Sequence, residues 1–102
     1  MFIRFKVSKI VDLILENVGL FDFFTKVYLF GSSIDENRKP NDIDLLLVYG
    51  VYSKELLEEK NSIILFLKEI LTLPIDVTVL SEEELEETKF LEKLGTKFIK
   101  IK

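Results

Sequence analysis

Two stretches of the sequence carry apolar residues at three- and four-residue intervals, the spacing that gathers them on one face of an α-helix. The first opens at Ser8, a residue type that caps helices, and closes at Gly19. The second opens at Ser53 and ends ahead of Pro74. We therefore predict two amphipathic helices. The apolar face of the second is predicted to hold Leu56, Leu57, Ile63, Ile64, Leu67, Ile70 and Leu71.

Short runs of β-branched, aromatic and leucine residues predict strands at Val27–Phe30, Asn41–Val48 and Leu73–Leu80. Two further segments alternate enough to form short edge strands, Phe2–Val7 near the start of the sequence and Lys97–Lys102 at its end. The three lysines of the last segment are interpreted as solvated charges.

A third helix is predicted after the last main strand. Ser81 and Glu84 have the spacing of a capping box, and the helix runs to about Leu94, where Gly95 stops it. The main elements then follow the order helix, strand, strand, helix, strand, helix. This order favours an α/β (α+β) fold of one domain, residues 1–102, with a small mixed β-sheet and helices mainly on one face.

Candidate chemistry begins at the turn after the first strand. Gly31 can adopt backbone angles closed to other residues, and its lack of a Cβ lets a phosphate approach the main-chain N–H groups. Ser32 and Ser33 add hydroxyls that donate to phosphate oxygens or cap a turn of helix. By itself the pattern also fits an ordinary turn. Its meaning depends on the residues that follow.

Two aspartates, Asp42 and Asp44, lie two residues apart in the second predicted strand, so their side chains share one face. Neighbouring carboxylates repel each other unless a cation lies between them, and oxygen ligands favour Mg²⁺ or Mn²⁺. Asp76 lies in the third strand. If that strand pairs beside the second, Asp76 completes the metal's shell or accepts a proton from an attacking hydroxyl. Otherwise it is a solvent-facing residue after Pro74.

With these residues in place, the sequence resembles the nucleotidyltransferases of the DNA polymerase β superfamily, in particular their small stand-alone members, the minimal nucleotidyltransferases. The resemblance starts with the hydrophobic-Gly-Ser triplet Phe30–Ser32. The nine-residue spacer Ser33–Asn41 leads to the Asp-hydrophobic-Asp triplet Asp42–Asp44, and Asp76 matches the later carboxylate. The similar region spans about Val27–Leu80, roughly half of the chain.

This resemblance implies an enzyme that moves a nucleoside monophosphate, foremost AMP, from an NTP such as ATP to an acceptor hydroxyl, with pyrophosphate leaving. The implied roles are metal binding (Mg²⁺ or Mn²⁺) and catalysis for Asp42, Asp44 and Asp76, and nucleotide binding for Gly31, Ser32 and Ser33. Small relatives are paired with a helical HEPN-type protein, and some act as antitoxins by attaching AMP to it. The resemblance therefore implies such a partner, or another substrate-binding protein, for this chain.

Two other functions fit the same residues. The spacer Ser33–Asn41 has no Gly, unlike the loop of many small relatives, and the chain is too short for an acceptor-binding domain. These features favour a non-catalytic nucleotidyltransferase-fold module that scaffolds or neutralises a partner protein. A metal-dependent phosphohydrolase could use the same carboxylates, although the motif offers no His or Lys to assist a leaving group.

Composition narrows the possibilities further. The 102 residues include no Cys and no His, which excludes disulfides, thiol nucleophiles and histidine bases from the chemistry. The net charge is −4 with both signs mixed along the chain, so the sequence gives no support for nucleic-acid binding. No stretch approaches the roughly 18 apolar residues of a membrane-spanning helix, and no signal peptide is recognisable. We expect a cytoplasmic protein without a membrane partner.

Overall fold

The computed structural model describes residues 7–34 and 41–102, and these residues form a four-stranded mixed sheet with helices. The strands are β1 Lys26–Phe30, β2 Ile43–Tyr49, β3 Ile75–Ser81 and β4 Phe98–Lys100. The helices are α1 Val7–Glu16, α2 Glu55–Leu71, α3 Glu82–Thr88 and α4 Phe90–Leu94. Two 3₁₀ turns, Val18–Phe21 and Gly31–Ile34, stand on either side of β1.

The strands are ordered β3-β2-β1-β4 across the sheet. β1 is antiparallel to both β2 and β4, whereas β2 and β3 are parallel. Parallel neighbours need a long crossover connection, and α2 supplies it between these two strands. Consequently the end of β1 and the starts of β2, β3 and β4 lie side by side. They form one edge of the sheet, an edge made of strand ends and distinct from the edge strands β3 and β4. In this register Asp44 pairs with Phe30 on one side and with Asp76 on the other.

The main core lies between one face of the sheet and the two long helices. Alternate strand residues point to this face, as the period of two requires. α1 contributes Ile10 and Ile14 to it, and α2 contributes buried residues at helical spacing. The prediction of a mixed sheet with helices mainly on one face is therefore confirmed. The buried members are Ile10, Ile14, Phe21, Phe24, Val27, Leu29, Ile43, Leu45, Leu47, Leu56, Ile63, Leu67, Leu71, Ile75 and Ile101.

A smaller apolar cluster covers part of the opposite face. Leu85 of α3 packs there with strand residues, and the aromatic rings of Phe30 and Phe90 meet edge to face at 5.4 Å. This contact holds α4 over the end of β1. The buried members of the cluster are Tyr28, Leu46, Val48 and Leu85.

The bounds of the first predicted helix are wrong at both ends. Ser8 lies inside α1 instead of capping it. The helix ends at Glu16 because Asn17 leaves helical geometry, with φ −116° and ψ 27°, while its side-chain amide donates to the carbonyl of Leu13 at 2.8 Å. Gly19 then lies within a 3₁₀ turn. A polar side chain that competes for backbone groups, not the glycine, ends this helix.

The second predicted helix is confirmed, but Leu57 does not belong to its buried face. α2 begins at Glu55, two residues after Ser53. Its buried residues follow one stripe from Leu56, and Leu57 lies about 100° away from that stripe. The side chain of Leu57 is accordingly 58% exposed.

The third predicted helix begins as expected and is then interrupted. Ser81 and Glu84 form the predicted capping box, with the serine hydroxyl accepting from the Glu84 amide at 3.0 Å. Lys89 adopts a positive φ of 52°, which divides the segment into α3 and α4 before the predicted stop at Gly95.

The two predicted edge strands differ in outcome. Within the predicted segment Lys97–Lys102, β4 forms and lies at the edge of the sheet. The predicted strand Phe2–Val7 lies outside the described residues except for Val7, which belongs to α1. Among the helices of residues 7–34 and 41–102, none is long and apolar enough to cross a membrane.

Candidate active site

The glycine at the end of β1 is required by its surroundings. Gly31 has a φ of 79° and opens the 3₁₀ turn Gly31–Ile34. A Cβ at this position would overlap the Oδ2 atom of Asp44 and lie 3.1 Å from its Cγ. Both the backbone angle and the missing side chain are therefore needed for the turn to pass this close to the aspartate. Ser32 and Ser33 lie in the same turn.

Three carboxylates converge beside this turn, and we call Asp42, Asp44 and Asp76 the acid triad. Asp42 directly precedes β2, Asp44 is the second residue of that strand, and Asp76 is the second residue of β3. The register places Asp44 opposite Asp76. One oxygen from each of the three residues lies within 4.8 Å of the others. The pairing of β3 beside β2, on which the role of Asp76 depended, is thus observed.

The acid triad is electrostatically unfavourable when it stands alone. Burial raises the pKa of Asp44, and the charges of Asp42 and Asp76 raise it further. The pKa of Asp76 is raised mainly by its hydrogen bond with Asp42, then by burial and by the Asp42 charge. Each shift means that an added negative charge is resisted here. A bound cation would reverse this penalty.

The donor set fits a hard divalent cation. All three groups are carboxylates, and they converge on one point at the exposed edge of the sheet. Mg²⁺ and Mn²⁺ prefer oxygen ligands and leave positions open for water and phosphate oxygens. Asp42 and Asp44 are half-buried, whereas Asp76 is exposed and reachable by a second reactant.

The sequence interpretation did not connect the C-terminal segment with this site. Phe98 of β4 pairs with Phe30, the residue that precedes Gly31, so β4 starts beside the Gly31–Ile34 turn. Phe90 of α4 packs on the same Phe30. The alternation of Lys97–Lys102 predicted a strand, but nothing in the local pattern indicated which strand it would join.

Three converging carboxylates beside a glycine turn form an arrangement that could hold a divalent cation, the kind of group that phosphoryl-transfer chemistry uses. The family model described as "Nucleotidyltransferase domain" matches residues 7–100. The chain therefore belongs to the nucleotidyltransferase domain family, which confirms the resemblance to nucleotidyltransferases noted from the sequence. No curated protein matches this sequence significantly.

Solved structures show the same fold. One is a complex of the tri-AMPylated HEPN toxin of Shewanella oneidensis with MNT antitoxin, with a TM-score of 0.58 and 15% identity over 94% of this chain and 71% of that one. Another is a mutant of the toxin-antitoxin MntA-HpeT, with a TM-score of 0.55 and 17% identity over 96% of this chain and 73% of that one. At these identities the likeness establishes the fold, in agreement with the predicted class.

Proposed function

We propose that this nucleotidyltransferase moves AMP from ATP to an acceptor hydroxyl, with a divalent cation, Mg²⁺ or Mn²⁺, at the acid triad. The observation that carries the proposal is the convergence of three carboxylate oxygens within 4.8 Å, beside a glycine whose missing Cβ opens the turn. This combination suits a triphosphate, which needs both a cation and close main-chain approach.

In this proposal the position of each residue determines its role. Asp42 and Asp44 would hold the metal together with Asp76, and the metal would supply positive charge to offset the charge that develops on the phosphoryl oxygens. The turn at Gly31, with Ser32 and Ser33, holds the departing phosphates by hydrogen bonds.

The exposed member of the triad faces the acceptor. A carboxylate oxygen of Asp76 accepts the proton of the acceptor hydroxyl as the new bond to the α-phosphorus forms and the bond to pyrophosphate breaks. Holding the two reactants together supplies much of the remaining rate enhancement.

The acceptor in this proposal is a helical HEPN-type partner protein, and the chain acts as its antitoxin. The support is the fold shared with the MNT antitoxin, whose complex contains a tri-AMPylated HEPN toxin. A second toxin-antitoxin structure of the same fold adds to it.

The test is label transfer from α-³²P-ATP in the presence of Mg²⁺ to a purified helical HEPN-type protein. The wild type is compared with the double variant Asp42→Asn, Asp44→Asn. The matched control is Asp12→Asn, which removes an exposed carboxylate on α1, outside the triad. We expect labelled partner and released pyrophosphate from the wild type and the control, and neither from the double variant.

Other outcomes identify the alternatives. Release of inorganic phosphate from ATP would replace the transferase with a phosphohydrolase. A partner that binds the wild type and the double variant equally and is neutralised by both, without label, would replace it with a scaffolding module.

A further inference from the structure

We infer that Lys97 is the cation that holds the terminal phosphates of the nucleotide, an assignment that rests on the function proposed above. A triphosphate brings several negative charges to a sheet edge that already carries the acid triad. The described turn Gly31–Ile34 contains no basic residue. A positive side chain from outside this turn can therefore help to balance the phosphates farthest from the triad.

Strand pairing brings the backbone of Lys97 beside the Gly31–Ile34 turn. β4 is antiparallel to β1, and Phe98 lies opposite Phe30. Because the two chains run in opposite directions, Gly31 after Phe30 and Lys97 before Phe98 occupy the next position toward the same edge. Neighbouring strands lie about 5 Å apart, so the backbone of Lys97 adjoins the turn.

The backbone of Lys97 is held in place while its side chain is available. Its amide donates to the carbonyl of Leu94 at 3.1 Å, which ties it to the end of α4. Its side chain is exposed and makes no ion pair or hydrogen bond with any other residue of 7–34 or 41–102. Since β4 begins only at Phe98, strand alternation does not fix the direction of this side chain. The flexible stem of a lysine can carry its ammonium round the sheet edge.

Two other strand lysines are placed differently and serve as references. Lys26 lies at the opposite end of β1, where its Nζ is 3.0 Å from a carboxylate oxygen of Glu82. Lys100 pairs with Tyr28 and lies three residues beyond Lys97, roughly 10 Å along the strand. Lys100 is as exposed as Lys97, which makes it the matched control.

The test is calorimetric titration of ATP and AMP, each with Mg²⁺, into the wild type and the variants Lys97→Gln, Lys97→Arg and Lys100→Gln. We expect Lys97→Gln to weaken ATP binding roughly tenfold or more, because a hydrogen bond to a charged group is lost. AMP binding should be unchanged, because AMP lacks the terminal phosphates. Lys97→Arg should keep most of the affinity, and Lys100→Gln should match the wild type.

Several results would overturn the assignment. One is wild-type ATP affinity in Lys97→Gln. If Arg38→Gln or Lys39→Gln is titrated alongside and alone loses affinity, the phosphates would be assigned to the spacer Ser33–Asn41 instead. Equal weakening of ATP and AMP would indicate a structural effect, which circular dichroism of the variant would check. If the wild type binds ATP as described but labels no acceptor, the transferase proposal fails while the assignment of Lys97 stands. If the wild type binds no ATP, both fail.

Discussion

The two ends of the β1–β2 pair arrange their charges in opposite ways. At the end where Phe30 pairs with Asp44, three carboxylates lie within 4.8 Å of one another. At the other end Lys26 pairs with Val48, and the carboxylate of Glu82 accepts from Lys26 at 3.0 Å and from Thr25 at 2.7 Å. One end gathers like charges, whereas the other pairs opposite charges.

The pKa shifts of the two ends differ in sign for this reason. Hydrogen bonds from Thr25 and then Lys26 lower the pKa of Glu82, and the Glu82 hydrogen bond and charge raise the pKa of Lys26. At the acid triad the pKa of Asp44 is raised instead. The paired end ties α3 to β1 and stabilises the fold. The like charges of the triad lower stability, which is typical of a site selected for function.

The largest effect is expected from disrupting the acid triad. Asp44→Asn should lower label transfer to the partner roughly a hundredfold to a thousandfold, because a group that supports the charged transition state is lost. Without metal, the free energy of unfolding of the same variant at pH 7 should be higher than that of the wild type, because Asn removes one of the like charges. Urea titration measures this difference.

The stability gain of Asp44→Asn should depend on pH. Because the folded pKa of Asp44 is raised, its ionised form lowers the free energy of unfolding at pH values above that pKa. This penalty disappears as the pH falls below the ordinary pKa of an aspartate, about 3.9. A variant that is less stable than the wild type at pH 7 in metal-free buffer would contradict the view of the triad as a repulsive cluster.

A backbone change at the same end is expected to have the second-largest effect, in this case on the stability of the fold. Gly31→Ala is expected to lower the free energy of unfolding by about 3 kcal/mol, because it combines a positive φ with overlap of Asp44. Gly95→Ala shares the positive φ but meets no atom within 4 Å, so it should lose about 1–2 kcal/mol. Gly19→Ala has neither problem and serves as the neutral reference.

The overlap can be separated from the backbone strain at Gly31 by a double-mutant cycle. Asp44→Ala removes Oδ2 and Cγ, the two closest atoms that a Cβ at Gly31 would meet, and leaves only the Asp44 Cβ at the ordinary contact distance of 3.4 Å. The double variant should therefore lose less stability than the two single changes together. Strict additivity would indicate that the positive φ alone accounts for the loss.

Adding Mg²⁺ should stabilise the protein through the acid triad, whose like charges are destabilising without metal. At a concentration ten times its dissociation constant, Mg²⁺ should raise the free energy of unfolding by about 1.4 kcal/mol. This gain should vanish in the double variant Asp42→Asn, Asp44→Asn and persist in Glu82→Gln, because within residues 7–34 and 41–102 only the triad gathers three carboxylates. Thermal denaturation with and without Mg²⁺ measures it. Equal gains in both variants would point to non-specific binding.

The smallest expected effect belongs to the paired end. Glu82→Gln should lower the free energy of unfolding by about 0.5 kcal/mol, since the pair with Lys26 is more than one-third exposed and screened by solvent. Because the folded pKa of Glu82 is lowered, its contribution is present above pH 4.3 or so and is lost as the pH falls through that lowered pKa. For Lys26 the contribution is lost as the pH rises through its raised pKa.

The difference between wild type and Glu82→Gln should therefore be level near pH 7 and shrink at low pH. Urea titrations at a series of pH values would measure it, with Glu83→Gln on the same helix turn as the control. A difference that grows as the pH falls would contradict the pairing of Glu82 with Lys26.

Much of the candidate site could be predicted from local sequence. Gly31 and the Asp42–Asp44 spacing identify a turn and a carboxylate pair within one short segment, so their proximity follows from chain connectivity and strand period. The helix ends were less accessible. Asn17 and Lys89 end or interrupt helices through a side-chain hydrogen bond and a left-handed backbone, features that hydrophobic spacing does not report.

Local sequence patterns were enough to predict the alternation of elements, the apolar stripe of α2, the capping box at Ser81 and the segment that carries the glycine turn and two of the acids. That Asp76 stands opposite Asp44 and that β4 starts beside Gly31 emerges only when the strands are assembled into the sheet. Local patterns specify which face of a strand is buried. The choice of neighbouring strand depends on how distant segments pack together over the whole core.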